Sequence, residues 1–248
     1  MKKIKIRSLS DEVKTEIYNY IKKKFDGTNI KLPTEDEFAI ILGVSRVTIR
    51  TALNELASDG IIFRKQGKGT FINPQALTMN VQFNPVVLFK EMILRSGYSP
   101  SIEILGYEEI TADKKISSSL KIEEGANIIL AKKIFYADKK PCVYCEDYFT
   151  KDIFKEQSSL KFLKEYKESI FDYIYSYSGR KISWDKVEIF TTTNIDKKDL
   201  TEHFQCMEKV KSFLLLEGIN FDQNDEPVIF AKEYIDTNYI CFNSIRKK

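Results

Sequence analysis

Hydrophobic residues recur at helical spacing in two short neighbouring stretches near the start of the chain. In residues 34–42 and again in residues 45–57, apolar positions fall three or four apart, which marks one buried face on each of two helices. These positions are Phe38, Ala39, Ile41 and Leu42 in the first stretch and Ile49, Ala52, Leu53, Leu56 and Ala57 in the second. Gly43 and Gly60 follow the two stretches and suit helix ends. Two apolar helices joined by a short turn containing glycine predict a helix-turn-helix.

Polar residues strengthen both predicted helix starts. Thr34 and Glu37 have the spacing of a capping box, and Ser45 is a suitable N-cap for the second helix. After the second helix, the β-prone runs 61–63 and 70–72 flank a basic turn that contains two glycines. This pattern predicts a β-hairpin next to the helices, which is the arrangement of a wing.

The outer face of the second helix is basic at its start. Arg46 and Arg50 lie four residues apart and therefore project from the same side of the first turns. Arginine pairs bidentately with guanine in the major groove, and hydroxyl groups together with a helix N-terminus suit phosphate. Solvated arginines on an ordinary pair of helices are the alternative. The succession of caps, turn, basic helix tip and basic hairpin favours DNA binding.

The stretch Leu32–Ile72, LPTEDEFAIILGVSRVTIRTALNELASDGIIFRKQGKGTFI, resembles the winged helix-turn-helix of the GntR family of bacterial transcription regulators. The resemblance implies contacts to double-stranded DNA from the tip of the second helix and from the hairpin turn. The residues concerned are Ser45, Arg46, Val47, Thr48, Arg50, Gln66, Gly67 and Lys68. Asp36 departs from the family, which often carries arginine there. An acid does not repeat a contact that arginine makes to a base or a phosphate, so the operator is expected to differ at that position.

Alternation of apolar and polar residues is typical of the rest of the chain. Strands are predicted at 101–110, 128–136, 142–149, 185–193, 213–221, 228–235 and 239–242. Helices are predicted at 8–24, 84–96, 113–120, 159–178 and 196–206. The order strand, short helix, strand, acidic turn, strand occurs twice, with offsets of 83 residues (196 − 113) and 86 residues (227 − 141). Two such units predict one antiparallel sheet with helices packed on it, an α+β fold.

Charge separates the two parts of the chain. Residues 1–75 hold 14 Lys/Arg and 9 Asp/Glu, a net +5, whereas the remainder holds 25 (39 − 14) and 27 (36 − 9), a net −2. A basic first domain on a near-neutral body fits a DNA-binding head. No apolar run approaches the roughly 18 residues of a membrane helix, and the N-terminus lacks an apolar secretion signal. A cytoplasmic protein with no membrane partner is therefore expected.

Metal and cofactor chemistry are not expected. His203 is the only histidine and is interpreted as a surface or capping residue, and the four cysteines lack the spacing of a disulfide framework. Cys142 and Cys145 could suggest zinc or redox chemistry, but no second pair at zinc spacing accompanies them, so they are interpreted as strand residues. The sequence predicts no catalytic residue, no cofactor and no metal site.

The second part of the chain, about 84–245, resembles the UTRA domain. This domain is the effector-binding module of the HutC subfamily of GntR regulators and has a chorismate-lyase-like fold. The segments that carry the resemblance are Phe89–Met92, Gly97–Pro100, Leu120, Glu123–Gly125, Asp138–Pro141 and Asp225–Val228. The predicted organisation is a winged helix-turn-helix domain at 1–74, mainly α with a β-hairpin wing, a linker at 75–83 and a UTRA-like α+β domain at 84–248.

The UTRA resemblance implies a pocket for a small-molecule effector. In members that recognise sugar phosphates, two alternating basic residues precede the first hairpin turn, and here those positions hold Lys133 and Phe135. Family acids fall at Cys145, with Glu146 next to it, and at Ile229. One cation and one ring favour a ligand with one anionic group and an apolar or stackable part: a sugar, a sugar phosphate or another small metabolite. Further candidates, for each of which core packing or a solvated face is the alternative, are Tyr148, Ser183, Glu188 and Tyr234.

These features predict a ligand-responsive bacterial transcription regulator. It is expected to be a repressor that binds a pseudo-palindromic operator as a homodimer and senses a small metabolite through its C-terminal domain. It is not expected to be an enzyme. Two alternatives remain at this point: a chorismate-lyase-like enzyme domain fused to a DNA-binding head, and a DNA-binding regulator whose C-terminal domain only dimerises.

Overall fold

The computed structural model describes residues 9–26, 31–77, 81–82, 87–153, 170–207 and 209–243. The chain divides into two compact units, 1–85 together with 243–248, and 86–242. Parts of three predicted segments lie outside the described residues: the linker at 75–83, the start of the helix at 84–96 and the first half of the helix at 159–178. Within the described ranges, no helix is both long enough and apolar enough to cross a membrane.

Three helices and a hairpin form the first unit. Their bounds are α1 Leu9–Lys24, α2 Glu35–Leu42, α3 Arg46–Ser58, β1 Ile62–Lys65 and β2 Gly69–Ile72. All of them contribute to one core, which contains Ile17, Phe38, Ile49, Leu53 and Ile62, each at most 1% exposed. The predicted helix-turn-helix and its wing are confirmed.

Local hydrogen bonds fix the turn between α2 and α3. The Thr34 hydroxyl accepts from the Glu37 N–H at 3.2 Å, and the Glu37 carboxylate accepts from the Thr34 N–H at 2.7 Å, which completes the predicted capping box. Gly43 ends α2 with a φ of 66°, a conformation that glycine adopts without steric cost. Ser45 then caps α3 by accepting from the Thr48 N–H at 3.2 Å.

The segment 75–83, which the sequence predicts to be a linker, contains regular structure. A one-turn helix, α4, covers Pro74–Leu77, and a short strand, β3, covers Val81–Gln82. Asn73 precedes α4 and donates through its side-chain amide to the Gly60 carbonyl at 2.8 Å, which ties this segment to the end of α3.

The second unit is built on a six-stranded antiparallel sheet. Its strands are β4 Pro100–Thr111, β5 Asn127–Ala137, β6 Lys140–Thr150, β7 Ile182–Thr193, β8 Ser212–Asp222 and β9 Pro227–Ile235. They are arranged in the order β4-β5-β6-β9-β8-β7, so the two predicted repeats are two groups of three strands that meet at the pair β6–β9. The last short strand, β10, covers Phe242–Asn243.

Four helices accompany the sheet within the described residues: α5 Phe89–Arg95, α6 Lys114–Leu120, α7 Ile170–Ser178 and α8 Lys198–His203. Helix α8 is shorter than predicted. Asp196, the predicted first residue of this helix, instead accepts from the backbone N–H and the hydroxyl of Thr193, so it stabilises the preceding turn and the helix begins two residues later.

Strand alternation divides the side chains of the sheet between two faces. One face packs against α7, with Ala131, Phe149 and Ala231 in contact with Ile170 and Tyr173. The opposite face packs against α6 and α8 and includes Leu130, Ile134 and Tyr144. These surfaces are called the α7 face and the α6–α8 face below.

Candidate functional site

The N-terminal tip of α3 presents two arginines and an apolar side chain to solvent. The side chains of Arg46 and Arg50 are 55% and 51% exposed, and Val47 is 71% exposed. Ser45 and Thr48 are joined through their hydroxyls at 2.8 Å beside them. All five predicted helix-tip residues therefore lie on one turn of helix that the hydrophobic core leaves accessible.

Glu35, at the start of α2, organises these arginines. Its Oε2 atom accepts from Arg46 Nε at 3.3 Å and from Arg50 Nε and Nη2 at 3.0 and 2.9 Å. Its Oε1 atom lies 3.5 Å from Nη2 of Arg64 on β1. Hydrogen bonds from Arg50, and then from Arg46, hold the pKa of the Glu35 carboxyl below its ordinary value. One carboxylate thus positions cations from both α3 and the wing.

A second carboxylate, Asp36, also contacts this cluster. Its Oδ1 atom lies 3.2 Å from Arg46 Nη1, and its side chain is 65% exposed. The residue that replaces the family's arginine is therefore on the same surface as the arginines. Neither Glu35 nor Asp36 is among the predicted DNA-contacting residues. Both lie in the first turn of α2, the helix that precedes α3.

The wing presents basic side chains at and beside a tight turn. Gln66, Gly67 and Lys68 form the exposed turn, in which Gly67 has a φ of 69°. Gly69 has a φ of 111°, and a Cβ atom there would come within 2.8 Å of the Lys31 side chain. Lys65 Nζ lies 5.2 Å from the rings of Phe63 and Phe71, which stack on each other and support the hairpin.

The chemistry of this surface suits binding to double-stranded DNA. Guanidinium groups suit guanine edges and phosphates, hydroxyls and helix N–H groups suit phosphates, and a basic hairpin lies beside the helix. The candidate DNA interface consists of the α3 tip, the wing turn and the acidic start of α2.

A recess opens on the α7 face of the second unit. Its empty volume is about 300 Å³, a figure that includes open solvent at its mouth. The residues that line it are Ile104, Tyr107, Ala131, Lys132, Lys133, Asp147 and Ile170.

A buried ion pair forms the polar part of the recess. Lys133 Nζ lies 2.5 Å from Asp147 Oδ2, and the two side chains are 15% and 4% exposed. Burial alone lowers the pKa of Lys133, but the Asp147 carboxylate, together with Cys145 and Glu233, outweighs burial and raises it. Burial raises the pKa of Glu233 to about 8, and Asp147 adds to this shift.

Three predicted effector residues lie on the α7 face. Lys133 lines the recess, and Cys145 is its partner across the strand pair β5–β6. Phe135 contacts the ring of Phe89 from α5 at 5.4 Å. Asp147 was not predicted, although it lies two residues after Cys145 and strand alternation places it on the same face.

Three other predicted effector residues lie together on the opposite, α6–α8 face. The carboxylate of Glu146, 2% exposed, accepts from the hydroxyls of Tyr148 at 3.1 Å, Tyr234 at 3.4 Å and Tyr144 at 3.1 Å. Lys197 Nζ lies 2.7 Å from the same carboxylate. Burial and the Glu146 charge raise the pKa of the three tyrosines. The structure does not bring this cluster to Lys133.

The last two predicted effector residues lie on strand β7, away from the recess lining. Ser183 is exposed, and its hydroxyl donates to the Lys181 carbonyl at 3.3 Å. Glu188 is exposed and pairs with Lys186 at 3.0 Å. Ile229, the second family acid position, is fully buried against the α7 face.

Within the described ranges, no three His, Cys, Asp or Glu side chains are grouped as metal ligands. Burial raises the pKa of the Cys142 thiol to about 12 and that of the Cys145 thiol well above its ordinary value, so neither is poised as a thiolate ligand. The ring of His203 stacks on Tyr144 with 5.1 Å between centroids.

Comparison with known proteins identifies both domains. A model of bacterial regulatory proteins of the gntR family matches residues 9–72, and a model of the UTRA domain matches residues 95–240. The chain is 32% identical over 235 residues to YurK of Bacillus subtilis (strain 168), an uncharacterized HTH-type transcriptional regulator, and the match covers 93% of this chain and 92% of that one. It is 25% identical over 235 residues to the probable fructoselysine utilization operon transcriptional repressor of Shigella flexneri, over 88% and 86% of the two chains.

The fold is that of solved regulators as well. The crystal structure of the possible transcriptional regulator YydK from Bacillus subtilis has a TM-score of 0.73 with this chain, at 19% identity, and covers 97% of this chain and 100% of its own. The relatives are transcription regulators rather than enzymes. The chain belongs to the GntR family of bacterial transcription regulators and has the HutC-type architecture, a winged helix-turn-helix followed by a UTRA domain.

Proposed function

We propose that this protein is a cytoplasmic repressor that binds a pseudo-palindromic operator as a homodimer and changes its operator affinity when a small metabolite occupies the recess. The exposed arginine cluster on Glu35 supports the DNA-binding part most strongly. Three guanidinium groups from α3 and β1 are held in fixed positions while half of the Arg46 and Arg50 side chains stays accessible. Side chains ordered in advance lose less entropy when they bind.

We expect homodimerisation because one helix tip covers only one half-site of a pseudo-palindrome. A single helix-turn-helix reads one half-site, and two copies read half-sites about 34 Å apart, one turn of B-DNA. Effector binding then acts as a coupling free energy between the recess and the operator, of about 1–3 kcal/mol in typical allosteric proteins. The direction of this coupling is the first quantity to measure with any effector found.

Arg50→Ala tests the proposed DNA interface. We expect specific binding to weaken by about 1–3 kcal/mol, because arginine–guanine pairs contribute that much discrimination. Fluorescence anisotropy with a duplex from the protein's own promoter, at several salt concentrations, measures it. Arg95→Ala, which removes an exposed arginine from α5 in the other unit, is the matched control and should leave binding unchanged. Equal affinities of Arg50→Ala and the wild type would overturn the proposed interface.

The ion pair in the recess limits the charge of the effector. An anionic group reaches Lys133 only by displacing Asp147, and a buried ion pair that loses one partner costs about 3–5 kcal/mol. We therefore propose an effector that is uncharged at this point, or that brings a cationic group for Asp147 together with its anionic group. One relative is named as the probable repressor of a fructoselysine utilization operon. Fructoselysine carries both kinds of group and is therefore a suitable first probe.

Asp147→Asn tests the charge argument as a gain of binding. In this variant Lys133 lacks its carboxylate, so glucose 6-phosphate and inorganic phosphate are expected to raise its melting temperature. The same anions should leave the wild type unchanged. Stabilisation of the wild type by either anion at the same concentration would show that Asp147 does not limit access to Lys133. Binding of these anions by neither protein would show that Lys133 is not an anion site.

A further inference from the structure

Asp36 differs from the other acid of the DNA interface in what it contacts. Glu35 bonds to arginines of both α3 and the wing, and its side chain is 21% exposed. Asp36 contacts Arg46 at 3.2 Å, and its own side chain is 65% exposed. It therefore places an accessible negative charge beside the exposed arginines of α3.

Arg46 is consequently held by two carboxylates. Its Nε atom lies 3.3 Å from Glu35, and its Nη1 atom lies 3.2 Å from Asp36. Contacts on two of its edges bias the direction in which the remaining N–H groups of this half-exposed guanidinium point. Arg50, by contrast, bonds to Glu35 through Nε and Nη2.

We propose that Asp36 is a specificity-determining residue of the DNA interface that acts through Arg46. It keeps the Arg46 guanidinium from making phosphate contacts and restricts it to one orientation toward the base edges. This inference rests on the proposed function, because it requires that the α3 tip binds duplex DNA.

The physical reason is a difference between two kinds of binding. Non-specific affinity comes from cations that neutralise phosphates and release counterions, and each added phosphate contact increases the salt slope by about 0.9. An arginine tied to a carboxylate contributes less to that term. At its operator, the same arginine needs no reorientation before it contacts a base edge. Asp36 therefore lowers affinity for all duplexes but lowers it least for the operator.

Asp36→Asn separates this role from a simple repulsive charge. An operator is first selected from randomised duplexes with the wild type, and dissociation constants are then measured for that operator and for a random duplex of equal length across a salt series. We expect Asp36→Asn to bind the random duplex about tenfold more tightly at low salt, with a salt slope steeper by about 1. The operator should gain less, so that the ratio of operator to random affinity falls severalfold.

Equal gains for the two duplexes would overturn the inference, because a repulsive charge alone weakens both alike. Glu16→Gln, which removes one exposed negative charge from α1, is the matched control and should leave the ratio unchanged. Asp36→Ala provides a second variant without an amide donor and should lower the ratio as well. Unaltered thermal melts of these exposed-site variants would establish that each is folded.

Arg50→Ala distinguishes a failure of the Asp36 inference from a failure of the proposed DNA interface. If Arg50→Ala weakens operator binding and Asp36→Asn leaves the affinity ratio unchanged, the DNA interface stands and the role of Asp36 is wrong. If Arg50→Ala has no effect, the interface itself is wrong, and the inference about Asp36 falls with it. A selection repeated with Asp36→Asn should return a relaxed preference at one base pair of each half-site.

Discussion

Ion pairs occur at both candidate sites of this protein, but they are built in opposite ways. Around Glu35, arginines outnumber the carboxylates and remain about half exposed, so the cluster keeps unused positive charge at the surface. In the recess, Asp147 is buried, the Lys133 side chain is 15% exposed, and the two groups neutralise each other. The comparison shows how the same chemistry serves two partners: an open, cation-rich cluster suits a polyanion, whereas a closed pair selects against a lone anion.

The largest loss of unfolding free energy is expected when the recess loses the acid of its ion pair. Asp147→Ala leaves the Lys133 ammonium buried without a partner, and we expect the second unit to lose about 3–5 kcal/mol of unfolding free energy. Urea unfolding followed by fluorescence of Trp184, the only tryptophan, reports on that unit. A loss below about 1 kcal/mol would show that water reaches Lys133, and the description of a closed pair would be wrong.

A smaller effect is expected from the second acid near the recess. The pKa of Glu233 is about 8 in the folded protein and about 4.5 when unfolded, and the charged groups that act on it are Asp147, Lys133 and Asp185. The folded state therefore retains a proton that the unfolded state releases, and stability falls as pH rises from about 4.5 to 8.

Glu233→Gln should remove this pH dependence. We expect the variant to be more stable than the wild type by about 1–3 kcal/mol at pH 8 and to match it at pH 5. Urea unfolding at the two pH values measures the difference. Glu188→Gln, at an exposed position of β7, is the control and should show no such change. A wild type that gains stability over this range relative to Glu233→Gln would contradict the assignment.

The smallest change in stability is expected at the open cluster. Glu35→Ala removes contacts of half-exposed arginines, and surface ion pairs contribute about 0.2–1 kcal/mol each. Its effect should instead appear in operator affinity, because Arg46, Arg50 and Arg64 lose their common anchor. Thermal unfolding by circular dichroism and anisotropy titrations on the same samples test both halves of this statement. A large loss of stability with unchanged DNA binding would reverse the comparison.

The DNA-binding unit could be predicted closely because its signals are local. Capping by Thr34, the left-handed Gly43 and the basic tip of α3 each depend on residues within four positions of one another. The ion pair between Glu35 and Arg64 could not be predicted from the sequence. It depends on how the wing packs beside α2, and the two residues are 29 positions apart (64 − 35).

The predicted effector residues do not lie together on one face, for two different reasons. Glu146, Tyr148 and Tyr234 point to the face opposite Lys133, and for the first two, alternation relative to Cys145 would have revealed it. Across strands, alternation is not enough. The face on which Tyr234 lies follows from the register of β6 with β9, in which Cys145 is opposite Glu233 and Tyr144 is opposite Tyr234, and the sequence alone does not give that register.

The central pair β6–β9 has a consequence for how the second unit folds. Each three-strand group forms from strands that are near neighbours in the chain, whereas the central pair joins Cys145 to Glu233, 88 residues apart (233 − 145). Contacts between distant residues carry a larger closure entropy and form late. The strand residues that line the recess lie on β4, β5 and β6 and therefore all belong to the first group, so the pairing of Lys133 with Asp147 does not require the late β6–β9 junction.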